Sequence, residues 1–108
     1  MKGLAILLVD DEPLMRLSMV DALEAVGYDV HAVASGTEGI EVLRQKPFDL
    51  VITDLRLPGA DGLTVLRATK DKSPETEVVM IGARLRRIGG GRDETWRLRL
   101  HYQALPDG

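Results

Sequence analysis

Apolar residues arrive in this chain in short, evenly spaced bursts. The first, Leu4 to Val9 (LAILLV), is continuous and stops at Asp10, which is the pattern of a strand buried on both faces of a parallel sheet. Pro13 follows three carboxylates, and Met15, Met19, Ala22 and Val26 then recur at helical spacing up to Gly27. A Pro in the first turn and a Gly past the last are start and stop signals. The spacing therefore predicts a helix over 13–26, with Met15 and Met19 as core filling. YDVHAVA (28–34) alternates as a second strand and carries His31 as a surface residue. Ser35 with Glu38 resembles a capping box, and Ile40 and Leu43 carry a helix to about Gln45 before Pro47 breaks it. DLVIT (49–53) is a third buried strand ending at Asp54. LPGADG reads as a loop, Leu63 to about Lys70 as a third helix with Leu63, Val65 and Leu66 apolar, and EVVMI (77–81) as a fourth strand.

The order β-α-β-α-β-α-β with short connections predicts an α/β fold, a doubly wound parallel sheet built from right-handed crossovers. Ligands of such sheets bind beyond the carboxyl ends of the strands. Asp10 and Asp11 leave the first strand at that end and Asp54 leaves the third, so the three converge if those strands are neighbours. Clustered carboxylates repel one another unless a cation neutralises them, and an all-oxygen site that keeps several waters suits Mg²⁺. A carboxylate beside Mg²⁺ can also attack phosphorus and form an acyl phosphate. Plainer roles compete: Asp11 and Glu12 as stabilisers of the helix start, Asp54 as a turn acid.

Composition narrows the classes. A chain of 108 residues makes one domain. It has no Cys, which excludes disulfides and thiolate metal sites and suits a reducing compartment. The opening MKGLAILLVDDEP is too brief and too acidic for a signal peptide, and no apolar run reaches membrane-spanning length. The expectation is a cytoplasmic protein with no membrane attachment. GGG at 89–91 lacks the following Lys and Ser/Thr of a phosphate loop.

LLVDDEP, DLVITDLRLPGADGL and EVVMI, in this order and spacing, resemble the receiver domain of bacterial two-component response regulators over residues 3–81. The resemblance implies a flavodoxin-like receiver fold and phosphorelay signalling rather than a dedicated enzyme. By matching position it implies Asp54 as phosphoacceptor, Asp11 as the principal metal-binding carboxylate and Asp10 as its acidic partner, with Asp54 completing the Mg²⁺ ligands. Arg56 stands where a backbone carbonyl would join the metal shell. The implied partner is a sensor histidine kinase or phosphotransfer protein, with no direct nucleic-acid binding. Two other readings stand beside it: a defective or phosphorylation-independent interaction module, and a phosphatase. A dehalogenase-type phosphatase would carry a second Asp where Arg56 is found.

The last quarter departs from that family. The net charge of −3 conceals 8 basic against 14 acidic residues up to Ile81 and 6 against 3 beyond it. Gly82 stands where a receiver carries a hydroxyl residue, and no Lys follows Lys72. Read one base later, however, the codons of 93–105 permit M-K-L-G-A-Y-D-Y-I-T-K-P-F, a receiver-like ending; the Gly obtained from Trp96 is forced. Residues 82–108 are thus expected to be an out-of-frame basic tail, a stronger reading than an Arg/Gly arm for nucleic acid. Trp96, Leu98, Leu100 and Tyr102 alternate with Arg97, Arg99, His101 and Gln103. This period-two pattern predicts a substitute edge strand over 95–102, without which the fourth strand would be an exposed edge prone to self-association.

Overall fold

The computed structural model describes residues 3–81. The elements are β1 (Ala5–Val9), α1 (Pro13–Ala25), β2 (Asp29–Val33), α2 (Gly36–Gln45), β3 (Leu50–Asp54), α3 (Gly62–Lys72) and β4 (Glu77–Ile81). The strands form a parallel sheet in the order β2-β1-β3-β4. β1 and β3 are therefore neighbours, as convergence of the carboxylates requires. The expected tail of 82–108 and its strand over 95–102 lie outside the described residues.

The strands are short apolar runs because both faces are covered. Leu7, Val9, Val51 and Val78 point to one side, where α2 and α3 pack with Leu43 and Val65. Ile6, Leu8 and Ile52 point to the other, where Met19, Val20 and Leu23 of α1 meet them. α2 and α3 together span all four strands, whereas the backbone of α1 lies over β1 and β2 and its side chains extend the cluster to Ile52 of β3.

The helix ends follow local chemistry. The Ser35 hydroxyl accepts from the Glu38 N–H at 3.1 Å, and Oε1 of Glu38 accepts from the Ala34 N–H at 3.0 Å, a capping box reaching one residue further back than usual. α1 stops at Gly27, whose φ of 106° favours a residue without a Cβ. Asp61 caps α3 by accepting from the Thr64 N–H at 3.0 Å and its hydroxyl at 2.9 Å. These bonds, the backbone one foremost, hold its carboxyl below the usual carboxylate range.

Two expectations are corrected. Met15 is not core filling: it is 52% exposed, and α1 contains no fully buried residue. Of the apolar residues named for α3, Val65 is buried, Leu66 half-buried and Leu63 exposed, and Thr69 is buried with Val65. The Thr69 hydroxyl donates to the Val65 carbonyl at 2.8 Å, which lets a polar side chain sit in the core. His31 is half-buried rather than superficial, with its ring edge-on to Phe48 at 6.3 Å.

Candidate functional site

At the carboxyl end of the sheet, β1 runs into Asp10 and Asp11 while β3 ends in Asp54. Because these central strands pair in parallel, with Val9 opposite Thr53, their terminal carboxylates emerge side by side. Asp10, Asp11 and Asp54 each offer an oxygen within 4.8 Å of the other two. Asp10 is buried, Asp54 half-buried and Asp11 exposed, so the cluster is graded from floor to mouth.

Each carboxylate is held differently. Asp10 is 3% exposed, and its Oδ1 accepts from the Glu12 N–H at 2.9 Å, closing a turn at the start of α1. The plainer reading gave the helix start to Asp11 and Glu12. Instead Glu12, at the cap position, makes no side-chain cap bond, and the turn is closed by Asp10. Arg16, one turn into α1, donates from Nη1 to the Asp10 carbonyl at 2.8 Å and pins this corner. Asp54 is fixed through its backbone: it lies opposite Ile81 in the register with β4, and the Thr53 hydroxyl donates to its carbonyl at 3.0 Å.

The loop after Asp54 is fastened to α3. The Gly62 N–H donates to the Leu55 carbonyl at 2.8 Å, and a Cβ at Gly62 would collide with the Asp54 carbonyl. This close approach demands glycine. Gly59, with φ of 77°, turns the loop against Thr37 of α2.

Around the carboxylates lies an open cleft of about 430 Å³, large enough for a small anion with its waters. Besides the three aspartates it is lined by Glu12, Met15, Met19, Leu55, Arg56 and Ile81. Spacing arguments missed the apolar wall of Met15, Leu55 and Ile81, because Met15 and Ile81 sit in runs that read as core and Leu55, between Asp54 and Arg56, sits in none. For Ile81, the register opposite Asp54 is what places it here. The donor set is all oxygen, with no His or Cys, and so fits a hard cation. A carboxylate cluster open to such a cleft can bind a divalent cation and present a nucleophilic oxygen to an electrophile.

Known proteins agree with this geometry. The family described as response regulator receiver domain matches residues 6–87. The transcriptional regulatory protein BaeR of Escherichia coli is 37% identical over 83 residues, covering 77% of this chain and 34% of that protein. The sensor kinase CckA of Brucella abortus is 36% identical over 78 residues, covering 70% of this chain and 8% of that protein. The chain thus spans about a third of the length of the first of these curated relatives and less than a tenth of the second. The structure of the chemotaxis response regulator CheY4 of Vibrio cholerae superposes with a TM-score of 0.70 at 26% identity, covering 73% of this chain and 68% of that one. A parallel sheet in the order β2-β1-β3-β4, carboxylates at its carboxyl end and a family match from 6 to 87 leave one conclusion: the chain belongs to the receiver domains of two-component response regulators.

Proposed function

We propose that Asp54 is the phosphoacceptor of this receiver, and that Asp10, Asp11 and Asp54 hold Mg²⁺ during the transfer. The observation that carries the reading is the convergence of the three carboxylates, from two neighbouring strands, within 4.8 Å in an open cleft. Mg²⁺ bound there would neutralise the cluster and draw charge from the phosphoryl oxygens.

The chain's own residues do the rest. A carboxylate oxygen of Asp54 attacks phosphorus in line with the leaving group. The new P–O bond forms as the donor's P–N or P–O bond breaks, and the electron pair leaves with the donor. From an N-phosphohistidine donor the leaving imidazole nitrogen takes up a proton from water. Arg16 holds the Asp10 backbone, and Gly62 holds the loop after Asp54, so the nucleophile is positioned before the donor arrives. The donor chemistry points to a sensor histidine kinase or a phosphotransfer protein as partner, in the cytoplasm. Among the described residues no helix is long and apolar enough to cross a membrane.

A second reading is supported by one observation: Gly82 follows β4 directly and no Lys occurs after Lys72. With less positive charge available to the transition state, the chain would act as a phosphorylation-independent interaction module. Acetyl phosphate separates the two. Wild type should incorporate a phosphoryl group only with Mg²⁺ present, and Asp54→Asn should incorporate none. Equal labelling of both proteins would remove Asp54 from its role, and no labelling of either would favour the interaction module.

A further inference from the structure

The loop between β3 and α3 begins beside Asp54, and it is fastened to more than its own ends. Leu55 is tied at both sides: its N–H donates to the Ile81 carbonyl at 3.0 Å, and its carbonyl accepts from the Gly62 N–H. Leu57 packs on the cluster beneath α2 and α3. Further along, the loop exchanges hydrogen bonds with the first turn of α2. The Gly36 N–H donates to the Pro58 carbonyl at 3.4 Å, and the Ala60 N–H donates to Oγ1 of Thr37 at 3.4 Å. The exchange is reciprocal: an N–H that the first turn of a helix cannot satisfy internally finds the loop, and a loop N–H finds a helix side chain.

The two surfaces meet at close range. A Cβ at Gly36 would collide with the Ala60 carbonyl, and one at Gly59 would collide with the Thr37 hydroxyl. Glycine at both positions permits the approach. Between these anchors and Asp54 the chain lays Leu55 and Arg56 along the cleft that holds the three aspartates. Their placement is therefore set from two sides, by β4 and α3 at Leu55 and by α2 at 58–60. We propose that Thr37 is a positioning residue of the site: its hydroxyl, by holding Ala60, fixes the loop whose Leu55 and Arg56 border the cleft. Thr37 is not among the residues lining the cleft, so it acts through the loop. The inference rests on the reading of Asp10, Asp11 and Asp54 as a Mg²⁺ site.

Thr37→Val keeps the size and branching of the side chain and removes the acceptor, whereas Thr37→Ser keeps the hydroxyl. Mg²⁺ titration of the full chain, followed by the amide NMR signals of Asp11 and Asp54, reads the site without any phosphoryl transfer. Thr37→Val should weaken Mg²⁺ binding by about three-fold, part of the free energy of one net hydrogen bond. It should also speed hydrogen exchange at Ala60 several-fold while exchange across β1 stays unchanged. Thr37→Ser should match wild type in both. Unchanged affinity in Thr37→Val would overturn the proposal, and so would a Thr37→Ser as impaired as Thr37→Val. Weakened binding with equally faster exchange across β1 would overturn it too, since the fold rather than the loop would have yielded. A wild type that binds no Mg²⁺ would end the metal reading and this inference with it. Mg²⁺ binding without labelling by acetyl phosphate would count against Asp54 as phosphoacceptor alone, and the two variants would still decide the role of Thr37.

Discussion

The two faces of the sheet are built from the same four strands and yet carry different burdens. On one, α2 and α3 span the full width of the sheet and bury Leu43, Val65 and Thr69 among the strand residues. Lys72 of α3 also donates to the Leu43 and Lys46 carbonyls at the end of α2, tying the two helices together. On the other face, α1 lies over β1 and β2 and covers the buried Ile6 and Leu8, but none of its own residues is fully buried. Leu14, Met15 and Leu17 stand out into solvent at 73%, 52% and 58% exposure. The first face holds the fold together. The second presents the start of α1 and the site, and the outward residues of α1, Leu14 and Leu17, can change at little cost in stability.

That division can be broken by substitution. Leu43→Ala, in the packed face, should cost about 2–5 kcal/mol in chemical denaturation, the range for emptying a core leucine. A loss below about 1 kcal/mol would mean that this face is not the dominant core. Asp61→Ala should cost about 1 kcal/mol through loss of the α3 cap. The contribution has a definite pH dependence. Because the folded state lowers the Asp61 pKa, the stabilisation is present above the ordinary aspartate value and fades as pH falls through the folded one. Wild type and Asp61→Ala should therefore converge in stability in acid, and a gap that widened there would refute the capping account. Leu17→Ala, on the open side of α1, should change stability by no more than about 0.5 kcal/mol. A core-sized loss would show that α1 is as deeply engaged as α2.

The same contrast explains what could be read from the sequence. β1, β3 and β4 were legible because burial makes each a compact apolar run, and β2 because it alternates; all four are strands in the structure. α2 was legible because its few apolar residues, Ile40, Val42 and Leu43, lie toward the core and its cap residues are polar. α1 was legible as a helix, from Pro13 to Gly27, but its buried face was not, since Leu14, Met15, Leu17, Met19, Val20, Ala22 and Leu23 put apolar groups nearly all round it. Its inner face is Met19, Val20 and Leu23, a choice made by contact with Ile6 and Leu8 rather than by periodicity. Thr69 gave no sign of its burial, because a hydroxyl satisfied by its own helix packs like an apolar group. At the site, Asp10, Asp11 and Asp54 were evident from their places at strand ends. The Asp10 turn and the Arg16 anchor are local contacts that periodicity does not reveal, and the apolar wall needed the registers of β1 against β3 and of β3 against β4.

The account rests on Asp54 as the residue that takes the phosphoryl group. Borohydride reduces an aspartyl phosphate to homoserine, so the modified position can be found by mass spectrometry of peptides. After treatment with acetyl phosphate and Mg²⁺, homoserine should appear at position 54 and nowhere else, and should be absent when Mg²⁺ is chelated. Homoserine at position 10 or 11, or an unaltered Asp54 under conditions that label the protein, would contradict it.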